Sequence, residues 1–282
     1  MSRFIDLHCH TLCSDGSDSP RELVEKAKAQ GLAAVAITDH DTFQGHAEAL
    51  DAGAALGVEV VPGMELSSMY EGEHIHLLGY YADTENQTLR ALMQRAVDER
   101  TRRNRTMVER LHAAGYPIDW ETLTAEYPGQ TMVGRPHIAE HLMKCGVVHS
   151  VREGVVELMG PGQPFYVDRY HIPLTDYVRA VRAAGGVPVI AHLFQYRLST
   201  AQRRQMVADA VEAGLMGLEA MYSTYTPEQQ DAVFSLAREF GLLCTGGSDY
   251  HGSRKPHISL GRGLGNLAVP YEMLAAMKAS AR

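Results

Sequence analysis

The chain has 282 residues, which at about 150 residues per domain means one large domain or two modest ones, with a core that needs no disulfide staples. Hydrophobic residues at 45% and charged residues at 21% exclude a disordered segment and a collagen-like or other fibrous repeat. Lys+Arg of 26 against Asp+Glu of 34 leaves a formal net charge of −8, so no global positive field draws in long nucleic acid, and DNA is not an expected partner. A short anionic substrate needs only a local concentration of positive charge. No apolar run reaches signal-peptide or membrane-span length, so no membrane partner is expected and a cytoplasmic location is. Cys9, Cys13, Cys145 and Cys244 read as reduced thiols.

From the start, short apolar and β-branched runs alternate with helical patterns. A strand at 4–8 (FIDLH) precedes a helix over Pro20–Gln30, a strand at 34–38 (AVAIT) precedes a helix over Thr42–Leu56, and strands follow at 58–66 and 74–81. The first helix carries its own punctuation: Ser19 suits the N-cap, Pro20 the first turn, Glu22 completes an S-x-x-E capping box and Gly31 stops it. After Tyr81 the rhythm changes to one long charged helix over 84–114, then shorter helical pieces at 120–126, 136–144 and 150–158. The alternation resumes with strands at 188–192, 215–221 and 242–247, separated by helices near 173–184, 200–213 and 227–240 that Gly185, Gly214 and Gly241 close. The expectation is an α/β fold of about seven strands in parallel βα units, formed by 1–81 and 187–282. A mostly helical insert, 82–186, is expected to cap the active site.

Acids and imidazoles mark nearly every strand end. The first strand leads into Asp6-Leu7-His8-Cys9-His10 with Asp15 in the following loop, and the second into Asp39-His40-Asp41. The third ends at Glu65, the fourth carries His74 and His76, the fifth ends at His192, the sixth contains Glu219, and the seventh runs into Ser248-Asp249-Tyr250-His251. In a barrel of parallel strands those ends converge on one face, where such barrels keep their active sites. His8 and His10 are two apart on an extended segment, so they point the same way and can chelate one ion while Cys9 points away. Imidazole mixed with carboxylate oxygen suits Mn²⁺, Fe²⁺ or Zn²⁺ rather than a thiolate-rich structural site. Glu65, with two oxygens, can bridge neighbouring ions, and paired ions clamp both oxygens of a displacement, so hydrolysis of a phosphate ester is the natural chemistry.

The set DLHCHT, SDG at 14–16, TDHD at 38–41, PGMEL at 62–66, HLLGY at 76–80, AH at 191–192 and GGSDYHG at 246–252 closely resembles the PHP (polymerase and histidinol phosphatase) family of metal-dependent phosphoesterases. The resemblance covers 1–81 and 187–265. It implies a distorted (β/α)7 barrel and two or three ions per chain, Mn²⁺ foremost. It also implies ligand sets: His8, His10, Glu65 and Asp249 for the first ion, Glu65, His76 and His192 for the second, and Asp15, His40 and His251 for the third. His8, His10, Glu65, Asp249 and His192 would then form the catalytic group. Within the family, GRPHIAEHLMKCG (134–146), PGQPFYV (161–167) and GLEAMYS (217–223) look like a subgroup that removes phosphate from 3′,5′-nucleoside bisphosphates, some relatives of which trim short RNA from the 5′ end. One departure is Leu193-Phe194, where that subgroup usually has Pro-Gly. The implied activity is release of the 3′-phosphate of a nucleoside bisphosphate. The alternatives are 5′-to-3′ trimming of short RNA, histidinol-phosphate hydrolysis, and a non-catalytic PHP binding module.

Plainer roles compete elsewhere. His46, His112, His141, His149 and His257 read as packing or surface residues, and His74 as a neighbour of the site or a surface group. Asp39, Asp41 and Glu219 either orient ligand imidazoles or cap helices, with capping the reading for Asp41 ahead of the helix over 42–56. The arginines at 100–105 read as a solvated helix face, because Asp98, Glu99 and Glu109 stand at ion-pair spacings. Arg135 differs: before Pro136 at a helix start, it can share one phosphate with free N–H groups. With His137 nearby, and His171 beyond Arg169, it is the expected anchor for the 5′-phosphate of a small nucleotide.

Overall fold

The structure, a computed structural model, describes residues 3–127, 133–168 and 171–280. In chain order the elements are β1 (Phe4–Asp6), α1 (Pro20–Ala29), β2 (Ala34–Ile37), α2 (His46–Leu56), β3 (Glu59–Tyr70), β4 (Glu73–Tyr80), α3 (Gln87–Ala113), α4 (Trp120–Ala125), α5 (Arg135–Lys144) and α6 (Val151–Glu153), the last continued by a π turn. They continue with β5 (Ile172–Pro173), α7 (Leu174–Ala183), β6 (Val187–Ile190), α8 (Thr200–Glu212), β7 (Gly217–Tyr222), α9 (Pro227–Phe240), β8 (Leu243–Gly247), β9 (Val269–Pro270) and α10 (Tyr271–Ser280). Two compact units result: Met1–Met93 with Ile172–Arg282, and Gln94–His171.

The first unit is a barrel-shaped sheet in the order β8-β7-β6-β4-β3-β2-β1, with β9 antiparallel on β1 and β5 alongside β3. Its ring is nearly closed where the chain beyond β1 meets β8 and the loop after it: Leu7 N–H donates to Gly246 O at 3.1 Å and His10 N–H to Tyr250 O at 2.8 Å. Gly247 permits this approach, since a Cβ there would lie 2.3 Å from His8 Cβ. Both faces of β2 are buried. Ala34 and Ala36 join Ile5, Leu7, Leu78 and Val189 in one cluster, while Val35 and Ile37 join Cys9, Leu23, Val24 and Ala49 in another, so the strand reads as continuously apolar.

One strand runs against expectation. β4 is antiparallel to both β3 and β6, whereas the alternating pattern predicts seven parallel strands. The reason lies in Glu71-Gly72, a two-residue hairpin loop with φ of 47° and 85°. Such a loop reverses the chain, and a parallel return needs a crossover of a dozen or more residues.

Two local readings also change. The second helix begins at His46 rather than Thr42 and has Gly45 at its N-cap. Asp41 is therefore not its N-cap; with φ of 52° it accepts from Ser67 N–H at 2.9 Å and Ser67 Oγ at 3.0 Å. The capping box on α1 forms as the sequence predicts, with Ser19 N–H donating to Glu22 Oε2 at 2.7 Å and Glu22 N–H to Ser19 Oγ at 3.2 Å.

The second unit has its own core, Met107, Val108 and Leu111 of α3 against Leu123, Ile138, Ala139, Leu142 and Met159. Arg102 and Arg105 pair with Glu99 and Glu109 at 2.6 and 3.1 Å on the expected solvated face. Arg103 turns inward instead and donates from Nε to Val167 O at 3.0 Å. Among the described residues no helix is long and apolar enough to cross a membrane.

Candidate metal centre

Glu65 of β3 is the hub. It is 1% exposed, and its two oxygens face different imidazoles. Oε2 lies 3.4 Å from His8 Nε2, 3.2 Å from His10 Nε2 and 3.2 Å from His40 Nδ1, while Oε1 lies 2.8 Å from His76 Nδ1 and 3.0 Å from His192 Nε2. A second carboxylate, Asp249, brings Oδ1 to 3.3 Å from His10 Nε2, 3.4 Å from His251 Nδ1 and 3.7 Å from His8 Nε2. Asp15 lies 3.2 Å from His251 Nε2, 3.7 Å from His10 Nδ1 and 3.8 Å from His40 Nε2.

Local backbone explains the convergence. His8 and His10 alternate with Cys9 on the extended segment after β1, and Cys9 is fully buried in the apolar cluster beneath α1 and α2. His40 pairs with Glu65 as an isolated parallel bridge continuing β2. His76 sits near the beginning of β4, opposite Ser67. It reaches the rim because β4 is reversed, so the start of this strand lies level with the ends of its parallel neighbours. His192 and Asp249 have φ of 26° and 58°, uncommon for residues with a Cβ and concentrated at functional sites.

The nine side chains supply four overlapping groups whose donor atoms lie within 4.8 Å of one another: His10, Asp15, His40 and His251; His8, His10 and Asp249; His8, Glu65 and His192; and His40, Glu65 and His76. All nine residues of the ligand sets that the resemblance implies are thus brought together. His40 stands beside Glu65 and His76 as well as beside Asp15 and His251. His74 is exposed and belongs to none of the four groups.

Five ring nitrogens at the centre are buried without a hydrogen bond: His8 Nε2, His10 Nδ1 and Nε2, His40 Nδ1 and His192 Nδ1. A buried polar atom left so costs about 1–3 kcal/mol, which coordination of a cation would offset. Neutral imidazoles and carboxylates are the donors that borderline divalent ions prefer, so the residues present fit a metal. With no ion present, the carboxylates favour positive charge on the two central imidazoles themselves. Burial pulls the His10 imidazolium down, but Asp249 and Glu65 outweigh it and raise its pKa to about 9. His8 is likewise held well above its ordinary value, against burial, by Glu219 and Glu65. Despite burial, the surrounding imidazoles hold Glu65 and Asp249 well below the usual carboxylate range. Burial drives His40 the other way, down to about 4, with His10 and His76 adding repulsion against the pull of Glu65 and Asp15.

Further carboxylates hold the donors in place. Fully buried Glu219 lies 2.9 Å from His8 Nδ1 and accepts from His192 N–H at 2.7 Å, which turns His8 Nε2 toward the cluster. Of the two roles open to Glu219 in the sequence, orientation is the one the structure carries. Asp39 accepts from Thr11 N–H, Thr11 Oγ1 and Ser14 Oγ at 2.8, 2.6 and 2.5 Å, bracing the loop that delivers Asp15. Sequence reasoning missed Asp6, fully buried, which accepts from Ser248 N–H at 2.8 Å, Ser248 Oγ at 2.6 Å and Gly261 N–H at 2.7 Å, and so ties down the loop of Asp249. Its only signal was a carboxylate inside an apolar strand.

In the second unit Arg135 begins α5 with Pro136 in the first turn, and His137 Nδ1 accepts from Gly134 N–H at 2.9 Å at the helix start. His171 lies just before β5, and Arg169 falls outside the described residues. His141 is buried with Nδ1 2.6 Å from Glu126 Oε1 and Nε2 2.9 Å from Pro117 O, as a packing histidine should be. His46 and His112 likewise contact Gly63 O at 2.6 Å and Ile118 O at 2.9 Å.

Known proteins resemble this arrangement. A model of the PHP domain matches residues 6–143. The chain is 33% identical to a 5′-3′ exoribonuclease of Haemophilus influenzae over 251 residues, covering 89% of this chain and 91% of that one. It is 32% identical to a 3′,5′-nucleoside bisphosphate phosphatase of Chromobacterium violaceum over 247 residues, covering 88% and 87%. The solved structure of a candidate metal-dependent phosphoesterase from Bifidobacterium adolescentis superposes with a TM-score of 0.81 at 33% identity, covering 99% of this chain and 97% of that one.

Proposed function

The chain belongs to the PHP domain family of phosphoesterases, and from that premise we propose that it is a cytoplasmic, metal-dependent phosphatase that hydrolyses the 3′-phosphate of nucleoside 3′,5′-bisphosphates to a nucleoside 5′-monophosphate and inorganic phosphate. The observation that carries the proposal is the cluster of nine acids and imidazoles that has Glu65 as its hub, with five buried ring nitrogens lacking hydrogen bonds. Two or three divalent ions, Mn²⁺ foremost, would activate water and neutralise charge on the phosphoryl oxygens when bound. His8, His10, Glu65 and Asp249 would hold one ion, Glu65, His76 and His192 a second, and Asp15, His40 and His251 a third. Glu65 suits the shared position because its two oxygens already face separate imidazoles. Glu219 holds His8 in one orientation through the reaction, so the site needs no rearrangement when charge develops on the phosphoryl group.

For the second phosphate of the substrate, Arg135 is the proposed anchor, with His137 two residues on and His171 beyond Arg169 as its companions. A guanidinium fork binds a phosphate bidentately, and binding energy so obtained serves orientation at the reacting bond. The name of the Chromobacterium relative supports a bisphosphate substrate. The name of the Haemophilus relative favours a second reading, 5′-to-3′ trimming of short RNA by the same site.

A hydrolysis screen with Mn²⁺ that follows both inorganic phosphate and released mononucleotides tests the proposal across a 3′,5′-bisphosphate, nucleoside monophosphates, histidinol phosphate and short 5′-phosphorylated RNA. The bisphosphate should lead in kcat/KM. Leading activity on RNA would favour the second reading, and metal binding without turnover of any substrate would make the chain a binding module. Arg135→Ala should keep its metals and lose about 2–4 kcal/mol of transition-state stabilisation on the bisphosphate. It should hardly change turnover of a substrate without a 5′-phosphate; equal slowing of both would remove Arg135 from the anchor.

A further inference from the structure

The two oxygens of Asp249 have different surroundings. Oδ1 faces the imidazoles of His8, His10 and His251 at 3.3–3.7 Å. Oδ2 points away from them and accepts two hydrogen bonds, from Tyr222 Oη at 2.8 Å and from Lys255 Nζ at 2.8 Å. Tyr222 comes from the end of β7 and is 8% exposed, while Lys255 follows the short turn over Gly252–Arg254 and keeps its side chain 38% exposed. Two pieces of chain therefore meet at one carboxylate: the tip of β7, which brings Tyr222, and the loop after β8, which carries both Asp249 and Lys255.

We propose that Lys255 and Tyr222 are positioning residues that keep Oδ2 of Asp249 occupied, so that a bound cation meets this carboxylate through Oδ1 alone. The inference rests on the reading of the cluster as a metal centre. A carboxylate free to turn about its Cβ–Cγ bond presents either or both oxygens to an ion, and a second oxygen takes a coordination position that water or a phosphoryl oxygen needs in an open, hydrolytic site. Two donors on Oδ2, one of them charged, remove that freedom. Lys255 is the cation in direct contact with the carboxylates of the cluster among the described residues. Its contact is with the oxygen that faces outward, which separates it from the donors themselves.

The test uses the full chain loaded with Mn²⁺, comparing wild type with Lys255→Met, Lys255→Arg and Tyr222→Phe. Removal of partners that orient a ligand costs about 10–100-fold in metal affinity or activity. Lys255→Met should therefore lower by about tenfold the chelator concentration that strips half the Mn²⁺. It should reduce kcat with little change in KM, while the metal-free protein melts as wild type does. Lys255→Arg should restore retention, and Tyr222→Phe should move it in the same direction as Lys255→Met. Unchanged Mn²⁺ retention with a raised KM would overturn the proposal and make Lys255 a substrate contact. Unchanged retention and unchanged kinetics would overturn it as well, leaving an ordinary surface ion pair. Wild-type protein that binds no Mn²⁺ at all would defeat the metal-centre reading itself, a result distinct from the other two.

Discussion

Each of the two units buries histidine among carboxylates, and the two treat it differently. In the helical unit both nitrogens of His141 are engaged, one by Glu126 and the other by Pro117 O. In the barrel, His8, His10, His40 and His192 are also buried or nearly so, yet five of their nitrogens make no hydrogen bond. Burial and an acid neighbour are common to both places. What separates a packing histidine from a donor is whether the protein itself completes the ring's bonding, since a fold that leaves several buried nitrogens open at one point gains stability when another group fills them.

The comparison breaks most readily at Glu65. Glu65→Gln removes the charge that five imidazoles share and should lower bound metal by more than one ion, with turnover down by orders of magnitude. Full occupancy by elemental analysis together with near wild-type turnover would put Glu65 outside the site. His141→Ala is the counterpart in the other unit. It should cost about 1–3 kcal/mol of stability in denaturant titration by stranding Pro117 O and Glu126, with metal content unchanged. Loss of metal in the folded variant would erase the distinction drawn between the two histidine environments.

Cys9 sharpens the contrast at the scale of one residue, because it stands between two donors yet faces the apolar cluster. Cys9→Ser should keep its metals and its activity, and lose about 1–3 kcal/mol because the hydroxyl enters a buried apolar site. Metal loss in a folded protein would mean that the thiol, not the alternation, defines the strand. The smallest effect is a pH dependence in the helical unit. His141 and Lys144 overcome partial burial and hold Glu126 below its ordinary pKa of 4.5. A depressed carboxylate stabilises the fold above its unfolded value, and that stabilisation is lost as pH falls through the folded value. The difference in thermal midpoint between wild type and Glu126→Gln should therefore be constant above pH 4.5 and shrink below it. A difference that grows on acidification would reverse the sign assigned to Glu126.

Much of this was legible in the sequence because it is local. The seven apolar runs became the seven strands of the ring, Ser19 and Glu22 closed their capping box, and the two-residue step from His8 to His10 sent both imidazoles one way and Cys9 the other. Acids and histidines at strand ends pointed to one crowded polar site, since side-chain direction follows from the periodicity of the strand and the rim follows from the fold class, whereas the ligand sets came from the family resemblance. Strand direction was not legible from apolarity, because a buried run looks the same in either sense, and only the Glu71-Gly72 loop reverses β4 and carries His76 to the rim. Tertiary structure likewise chose among the acids. Asp41 leaves the helix it precedes for Ser67, Glu219 finds His8 across 211 residues, and Asp6 reaches Ser248 across 242. A carboxylate's capacity to accept hydrogen bonds is written in its residue type, but which donor it meets depends on chain segments brought together by burial of apolar surface elsewhere. That is why the sequence determined the inventory of the site and the fold alone decided its partners.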